Sequence, residues 1–172
     1  VSAIIEDLNN DGLNDLFVVA AGGELSQQAE DLKDRLLINN GSDFTRQELP
    51  AYFENGSVVS AHDFDKDGQV DLFVGGAAVA GDFGKIPHSY LLRNLNGTFE
   101  FVENEALGQV GMVTVAVWTD CDDDGWMDLI VVGEWMSPSF FRNQNGVLED
   151  VTETMIDQPL KGLWQSILPF DI

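Results

Sequence analysis

The chain has 172 residues, which is enough for one well-packed domain and short for two. Its hydrophobic fraction of 44% excludes an intrinsically disordered chain. Thirty acidic residues against eight basic ones give a net charge of −22, which repels nucleic acid and anionic membrane surfaces, so we expect neither as a partner. The single cysteine, Cys121, excludes an intrachain disulfide, and no run approaches the roughly 18 apolar residues of a membrane-spanning helix.

The first residue is Val1, with no initiator Met and no basic and apolar leader after it. This start favours an excised or processed piece of a longer protein.

An internal repeat runs through the sequence. The segments DLNNDGLNDLFVV, DFDKDGQVDLFVG and DCDDDGWMDLIVV begin at Asp7, Asp63 and Asp120, with spacings of 56 and 57 residues. Asp171 lies where a fourth copy would begin, 51 residues further on. A period of this size is typical of one supersecondary unit, so we expect a single repeat region. The predicted units are residues 1–56, 57–112 and 113–162, with the start of a fourth at 163–172.

Each unit predicts four antiparallel strands. An extended run comes first (SAIIED, GSVVSAHD or MVTVAVWTD), and an acidic loop follows it. Next comes a nearly continuous apolar run, typical of a strand buried on both faces, at residues 16–21, 72–76 and 129–133. The last two strands form a hairpin with Asn-Gly at its turn, the strongest short-range hairpin signal. The turn glycines are Gly41, Gly97 and Gly146.

Residues 23–34 of the first unit have a helix-forming composition without an apolar stripe, so we expect an elaborated loop with one helical turn. Tandem four-stranded sheets with buried inner strands are the building units of a β-propeller. The predicted fold class is therefore all-β: a β-propeller fragment of about three four-stranded antiparallel blades, with the acidic loop between strands one and two of each. A solenoid of stacked sheets is the competing architecture.

The acidic loops share the spacing D-x-[DN]-x-D-G-x-x-D. Side-chain oxygens at positions 1, 3, 5 and 9 suit a hard cation that takes six to eight oxygen ligands, and the glycine at position 6 permits the left-handed turn around it. Position 7 varies, as expected where only the backbone carbonyl coordinates. We therefore predict about three calcium ions, one in each loop. The predicted ligands are Asp7, Asn9, Asp11, Asp15 and the Leu13 carbonyl; Asp63, Asp65, Asp67, Asp71 and the Gln69 carbonyl; and Asp120, Asp122, Asp124, Asp128 and the Trp126 carbonyl.

A solvated acidic turn and an EF-hand are the alternatives for these loops. Four clustered carboxylates without a cation would repel one another, which disfavours the first. An EF-hand needs a bidentate Glu at position 12 and flanking helices, whereas valine stands at that position and the loops run directly into strands. Because Asn9 lacks the charge of Asp65 and Asp122, we expect loop one to bind calcium most weakly.

These residues resemble the FG-GAP/VCBS repeat family, which occurs in integrin α-subunit propellers and in secreted bacterial proteins. The resemblance covers nearly the whole chain and rests on D-x-D-x-D-G-x-x-D-L, on the runs VVA-AGG, FVGGA and VVGEW, and on the N-G-x-F-type hairpins. The eponymous Gly-Ala-Pro is replaced by Gly76-Ala77-Ala78. The resemblance implies calcium loops on one face of a propeller, usually of seven blades. Ligand-binding loops, between strands two and three and between blades, would lie on the opposite face.

The function that we expect is a calcium-binding extracellular or cell-surface β-propeller module for adhesion, with an unidentified protein or glycan ligand. The chain shows no nucleophile elbow, phosphate-binding glycine loop or His-rich zinc site, so we expect no catalysis. The alternatives are the propeller portion of a secreted carbohydrate-active enzyme and a purely structural spacer. Open blade edges predict that the isolated chain self-associates.

Three single residues carry smaller expectations. Cys121 aligns with the apolar Leu8 and Phe64, so we expect a buried core thiol. Trp126, at a variable loop position, and Trp135, just after a buried strand, are candidates for ligand contact as well as for packing.

Overall fold

The computed structural model describes residues 2–22, 30–50, 52–82 and 84–169. Within these residues the chain forms three antiparallel sheets that follow one another along the sequence, and we call them blades one to three. Blade one consists of β1 (Ala3–Glu6), β2 (Asp15–Val18), β3 (Arg35–Asn39) and β4 (Phe44–Gln47). Blade two consists of β5 (Asn55–His62), β6 (Asp71–Ala78), β7 (Tyr90–Leu95) and β8 (Thr98–Val102). Blade three consists of β9 (Met112–Thr119), β10 (Asp128–Met136), β11 (Ser139–Asn143) and β12 (Leu148–Asp150), with a short fifth strand, β13 (Gly162–Leu163).

Consecutive strands of each blade pair with one another, so the predicted four-stranded antiparallel unit is confirmed. The second strand of each blade lies inside its sheet, and in blade two its first six residues are buried. The fourth strand of blade one lies at the sheet edge and is mostly exposed. The continuous apolar sequences therefore mark strands covered on both faces. The fold is an all-β fragment of propeller-like blades.

Two hydrophobic clusters hold neighbouring blades together. The cluster between blades one and two contains the buried side chains of Leu8, Phe17, Val19, Leu36, Val59, Leu72, Val74, Tyr90 and Leu92. The cluster between blades two and three contains those of Phe64, Phe73, Leu91, Leu107, Val113, Leu129, Val131, Met136, Phe141 and Leu148. Burial of each large apolar side chain contributes about 1.5–3 kcal/mol, so these two clusters are the main source of stability.

The segment after blade three lies where the first strand of a further blade would begin. The Thr114 hydroxyl lies 2.6 Å from the Trp164 carbonyl, as the equivalent Ser57 hydroxyl lies against the Val113 carbonyl of the next blade. The backbone N–H of Trp164 donates to Gly133 at 3.1 Å. Trp164 therefore takes the place that Val113 has in blade three. Within the described residues β13 pairs with β10, and Asp171 lies outside them.

The helices of the described residues are single turns. A 3-10 turn at Glu30–Leu32 lies in the segment for which one helical turn is predicted, and residues 23–29 of that segment lie outside the described residues. Two four-residue α-helices, α1 (Glu105–Gly108) and α2 (Thr152–Met155), follow the last strands of blades two and three. No helix among the described residues has the length and hydropathy needed to cross a membrane.

Asp34 joins blade one to blade two through a buried side chain. Its Oδ1 accepts a hydrogen bond from the backbone N–H of Ala20 at 2.7 Å, and its Oδ2 accepts one from the Tyr90 hydroxyl. Burial raises the pKa of Asp34 from 3.8 to about 6, although both hydrogen bonds act in the opposite direction. The folded protein therefore binds a proton at Asp34 more tightly than the unfolded chain does.

We expect a pH-dependent contribution of Asp34 to stability. Because its folded-state pKa is raised, this contribution is fully present below about pH 4 and is lost as pH rises through about 6. The wild type should therefore lose unfolding free energy relative to Asp34→Asn between pH 4 and pH 7, as measured by urea denaturation at constant ionic strength. Asp31→Asn, an exposed acid of the same segment, is the control. Parallel pH profiles of the wild type and Asp34→Asn would contradict this role.

Candidate metal sites

The three acidic loops connect strands one and two of each blade, so all three lie at the same end of their sheets. Loop one is residues 7–15, loop two is residues 63–71 and loop three is residues 120–128. Each loop follows one strand and leads into the next, with no helix on either side. The prediction of a strand-to-strand loop instead of an EF-hand is confirmed.

The first aspartate of each loop closes the turn. In loop two, the Asp63 carboxylate accepts the backbone N–H groups of Asp67 at 3.1 Å and Gly68 at 2.9 Å. Asp7 and Asp120 accept the equivalent pairs at 2.8 to 3.2 Å. Each oxygen keeps a second lone pair, so these hydrogen bonds orient the carboxylate without using up its capacity to bind a cation.

Two residues of each loop have left-handed backbone conformations. The glycines at position 6 have φ between 86° and 90°. The residues at position 4, which are Asn10, Lys66 and Asp123, have φ between 58° and 60°. Glycine adopts such angles without the strain that a β-carbon adds, which accounts for its presence at position 6 in all three loops. The role predicted for this glycine as a left-handed turn residue is confirmed.

The last aspartate of each loop is buried and ties the loop to the third strand of its blade. Asp15 and Asp71 have no exposed surface, and Asp128 is 4% exposed. One oxygen accepts the backbone N–H of the residue at position 2 at 3.0 to 3.1 Å. The other accepts the backbone N–H of an asparagine in the third strand at 2.8 Å. Position 9 is therefore a structural anchor as well as a predicted ligand.

Loops two and three each bring three of their four predicted side-chain ligands together. Oxygens of Asp63, Asp65 and Asp71 lie within 4.8 Å of one another in loop two, as do those of Asp120, Asp122 and Asp124 in loop three. Loop one, which is described in full, holds no such acidic group because Asn9 replaces one acid. The position-5 aspartates, Asp11, Asp67 and Asp124, each accept the backbone N–H of the residue at position 7, which is Leu13, Gln69 or Trp126, at 2.7 to 2.8 Å.

The electrostatics of loop two fit a cation. The pKa of Asp71 is raised from 3.8 to about 7, chiefly by burial and to a smaller extent by the charges of Asp65 and Asp67, against two backbone hydrogen bonds that lower it. A divalent cation among these oxygens would favour the charged carboxylate and remove the repulsion. Hard oxygen donors are the ligands that calcium takes, so the residues present fit that ion.

Sequence reasoning missed an asparagine in the third strand of each blade. Asn94 and Asn143 are fully buried. The side-chain amide of Asn94 donates to the Leu8 carbonyl of blade one at 2.8 Å and to Val70 of its own blade at 3.0 Å, and its oxygen accepts the Gly97 N–H. Asn143 makes the equivalent bonds, including one to the Phe64 carbonyl of blade two at 2.7 Å. Its recurrence two residues before the Asn-Gly turn in blades two and three was the available signal.

Two arginines were also missed. Arg93 Nε lies 2.8 Å from Asp65 Oδ2, and Arg142 Nε lies 2.9 Å from Asp122 Oδ2. In both loops the arginine comes from the third strand of the same blade and contacts the position-3 aspartate. In blade one the equivalent residue is Ile38.

Neighbouring loops also contact each other through their position-4 side chains. The Asn10 amide donates to Gln69 Oε1 at 2.7 Å, from loop one to loop two. Lys66 donates to the Gly125 carbonyl at 2.8 Å and lies 4.0 Å from the centre of the Trp126 ring, from loop two to loop three. One candidate for ligand contact, Trp126, therefore carries a cation–π contact within the chain.

The expectation of a buried thiol at Cys121 is wrong. Leu8 and Phe64 are buried because the following blade covers them, whereas no sheet among the described residues follows blade three over Cys121, which is exposed. Partial desolvation, and then the nearby Asp128, raise the pKa of the Cys121 thiol to about 11. The thiolate is therefore disfavoured at neutral pH. The other candidate for ligand contact, Trp135, is 55% exposed.

Residues 7–74 match the sequence model of the FG-GAP-like repeat. The match begins at the first aspartate of loop one and ends in the buried strand that follows loop two, so it contains both of these loops. The predicted resemblance to FG-GAP repeats is confirmed over these residues. The chain consists of propeller-like blades, and residues 7–74 are similar to an FG-GAP-like repeat. No curated protein matches the chain.

We expect Asn94→Ala to destabilise the protein by about 2–4 kcal/mol, because it leaves buried polar groups of two blades without partners. Asn39→Ala is the matched control, since the Asn39 side-chain amide donates to Asn14 of its own blade and is partly exposed. Its cost should be about 1 kcal/mol. Urea denaturation measures both variants. Equal losses in the two variants would contradict the role of Asn94 in joining blades.

Proposed function

We propose that this protein is a calcium-binding module that works outside the cell or at its surface, in adhesion or in the recognition of a protein or glycan, without catalysis. The single observation that carries the proposal is the convergence of carboxylates around a buried aspartate in loop two. Three equivalent loops in three consecutive blades support it, because chance acidic turns would not share one hydrogen-bond pattern.

Each loop would hold one calcium ion through four side chains and one carbonyl. The proposed side-chain ligands are Asp7, Asn9, Asp11 and Asp15; Asp63, Asp65, Asp67 and Asp71; and Asp120, Asp122, Asp124 and Asp128. The proposed carbonyl ligands are those of Leu13, Gln69 and Trp126. The backbone hydrogen bonds at positions 1, 5 and 9 hold these side chains in place before the ion arrives, which reduces the entropy lost on binding.

The proposed extracellular location rests on the calcium affinity that we expect of such loops. Extracellular modules bind calcium with dissociation constants of about 0.1 to 1 mM. At about 1 mM free calcium, each loop would then add about 0.4–1.4 kcal/mol to the unfolding free energy. Much lower cytosolic calcium would leave the loops empty, and the repulsion among their carboxylates would remain.

A cleft at the opposite end of the sheets supports ligand recognition. It has a volume of about 320 Å³ and lies beside the beginning of β7 and the end of β8, whereas the acidic loops lie at the other ends of the blades. Tyr52 lines the cleft, and the centroid of its ring lies 4.3 Å from that of His88 and 4.9 Å from that of Phe101. Glu103 and Glu105 add acidic groups. Aromatic faces beside carboxylates are common in sites for sugars and for polar protein segments. A purely structural spacer would bind neither class.

We expect calcium to raise the melting temperature. Asp124→Ala removes a proposed ligand of loop three, so it should reduce the calcium-induced increase. Asp123→Ala is the matched control, because it removes the same charge from the adjacent position, which is not a proposed ligand. Differential scanning calorimetry in 1 mM calcium and in excess chelator measures both. An identical melting temperature in calcium and chelator would contradict calcium binding.

We also propose that the chain self-associates through blade edges. Ile5 on β1, the first strand of blade one, is 65% exposed, and Leu163 on β13 is 61% exposed. Exposed strands with apolar side chains favour pairing with a second copy. Light scattering should show a mass that rises with micromolar concentration, and Ile5→Lys should reduce it. Leu95→Lys, on blade two, is the control. A constant monomer mass would contradict self-association.

A further inference from the structure

In blades two and three, the position-3 aspartate of the loop occurs together with an arginine of the third strand. Asp65 contacts Arg93, and Asp122 contacts Arg142, both at hydrogen-bond distance. In blade one both partners are uncharged, because Asn9 and Ile38 stand at these positions. The charge pair is therefore present in blades two and three and absent from blade one.

The contact is held by charge and packing. Although Arg93 Nε lies 2.8 Å from Asp65 Oδ2, its N–H is not directed at any acceptor, so Nε is buried without a hydrogen bond. The guanidinium lies 5.5 Å from the centre of the Phe64 ring, and its side chain is 33% exposed. A divalent cation could therefore replace the arginine as the counter-charge of Asp65 without breaking a hydrogen bond of Nε.

The arginine also changes the charge that a cation meets. Loop one has three carboxylates among its predicted ligands, and loops two and three have four. Each arginine cancels one of those charges. Including the arginines, the predicted ligand sets of all three loops carry the same net charge. The carboxylate count alone, which predicts that loop one is the weakest site, is therefore incomplete.

We propose that Arg93 and Arg142 are built-in counter-ions of the position-3 aspartates. They stabilise loops two and three in the absence of a cation and lower the calcium affinity of these loops toward that of loop one. The proposal rests on the calcium binding proposed above and assigns positioning residues to the same sites. Its physical basis is Coulombic: the guanidinium attracts Asp65 in the empty loop and repels a divalent ion in the filled one.

The experiment compares Arg93→Ile with the wild type in the full chain. The amides of Gly12, Gly68 and Gly125 give one ¹H–¹⁵N reporter per loop during a calcium titration. We expect Arg93→Ile to raise the calcium affinity of loop two about tenfold, because one positive charge beside the ion is removed. Loops one and three should change much less. The melting temperature in chelator should fall, and the calcium-induced increase should widen.

Two controls separate charge from packing. Arg46→Ile removes the same charge from the outer strand of blade one and should leave the affinity of loop two unchanged. Arg93→Lys keeps the charge and should restore an affinity near that of the wild type. If Arg93→Lys instead raises the calcium affinity of loop two as much as Arg93→Ile does, the counter-ion role is overturned.

The reciprocal change in loop one tests the same principle. Asn9→Asp alone should raise the calcium affinity of loop one. Asn9→Asp combined with Ile38→Arg should return this affinity toward its original value. Unchanged or weaker calcium binding by loop two in Arg93→Ile would overturn the proposal while leaving calcium binding intact. A wild type with no amide shift on calcium addition would instead overturn the proposed function and the effect on affinity together. In that case, the fall of the melting temperature in chelator in Arg93→Ile, relative to Arg46→Ile, still decides the counter-ion role.

Discussion

The buried aspartate that ends each acidic loop is the constraint on which the rest of the structure depends. Asp15, Asp71 and Asp128 place a carboxylate inside the sheet, where an unpaired charge would cost several kcal/mol. Both oxygens are satisfied by backbone N–H groups, one from the start of the loop and one from the third strand. The loop therefore has a fixed position relative to its sheet.

Hydrogen bonds and apolar contacts at the acidic loops connect one blade to the next. The loop carbonyls of Leu8 and Phe64 accept hydrogen bonds from asparagines of the following blade, and the same residues pack into the clusters between blades. Loops one and two are thus each held in place by an asparagine of the following blade. Stability in such an array depends on interfaces between adjacent repeats as well as on each repeat alone.

Local sequence patterns were sufficient to predict the strands, the hairpin turns and the acidic loops, because these depend on residues close in sequence. Contacts between repeats were not predictable in this way. Asn94 reaches a carbonyl 86 residues away, and nothing in its immediate neighbourhood identifies that partner. Arg93 required knowledge of which strand lies beside Asp65. Cys121 was assigned to the core because alignment with Phe64 carries no information on whether a following blade covers it.

The most direct test of the account is a crystal structure grown in millimolar calcium. We expect an ion in each of the three loops, about 2.3–2.6 Å from the side-chain oxygens at positions 1, 3, 5 and 9 and from the carbonyl at position 7. Loops that remain without an ion at saturating calcium, with Arg93 and Arg142 still on their aspartates, would contradict it.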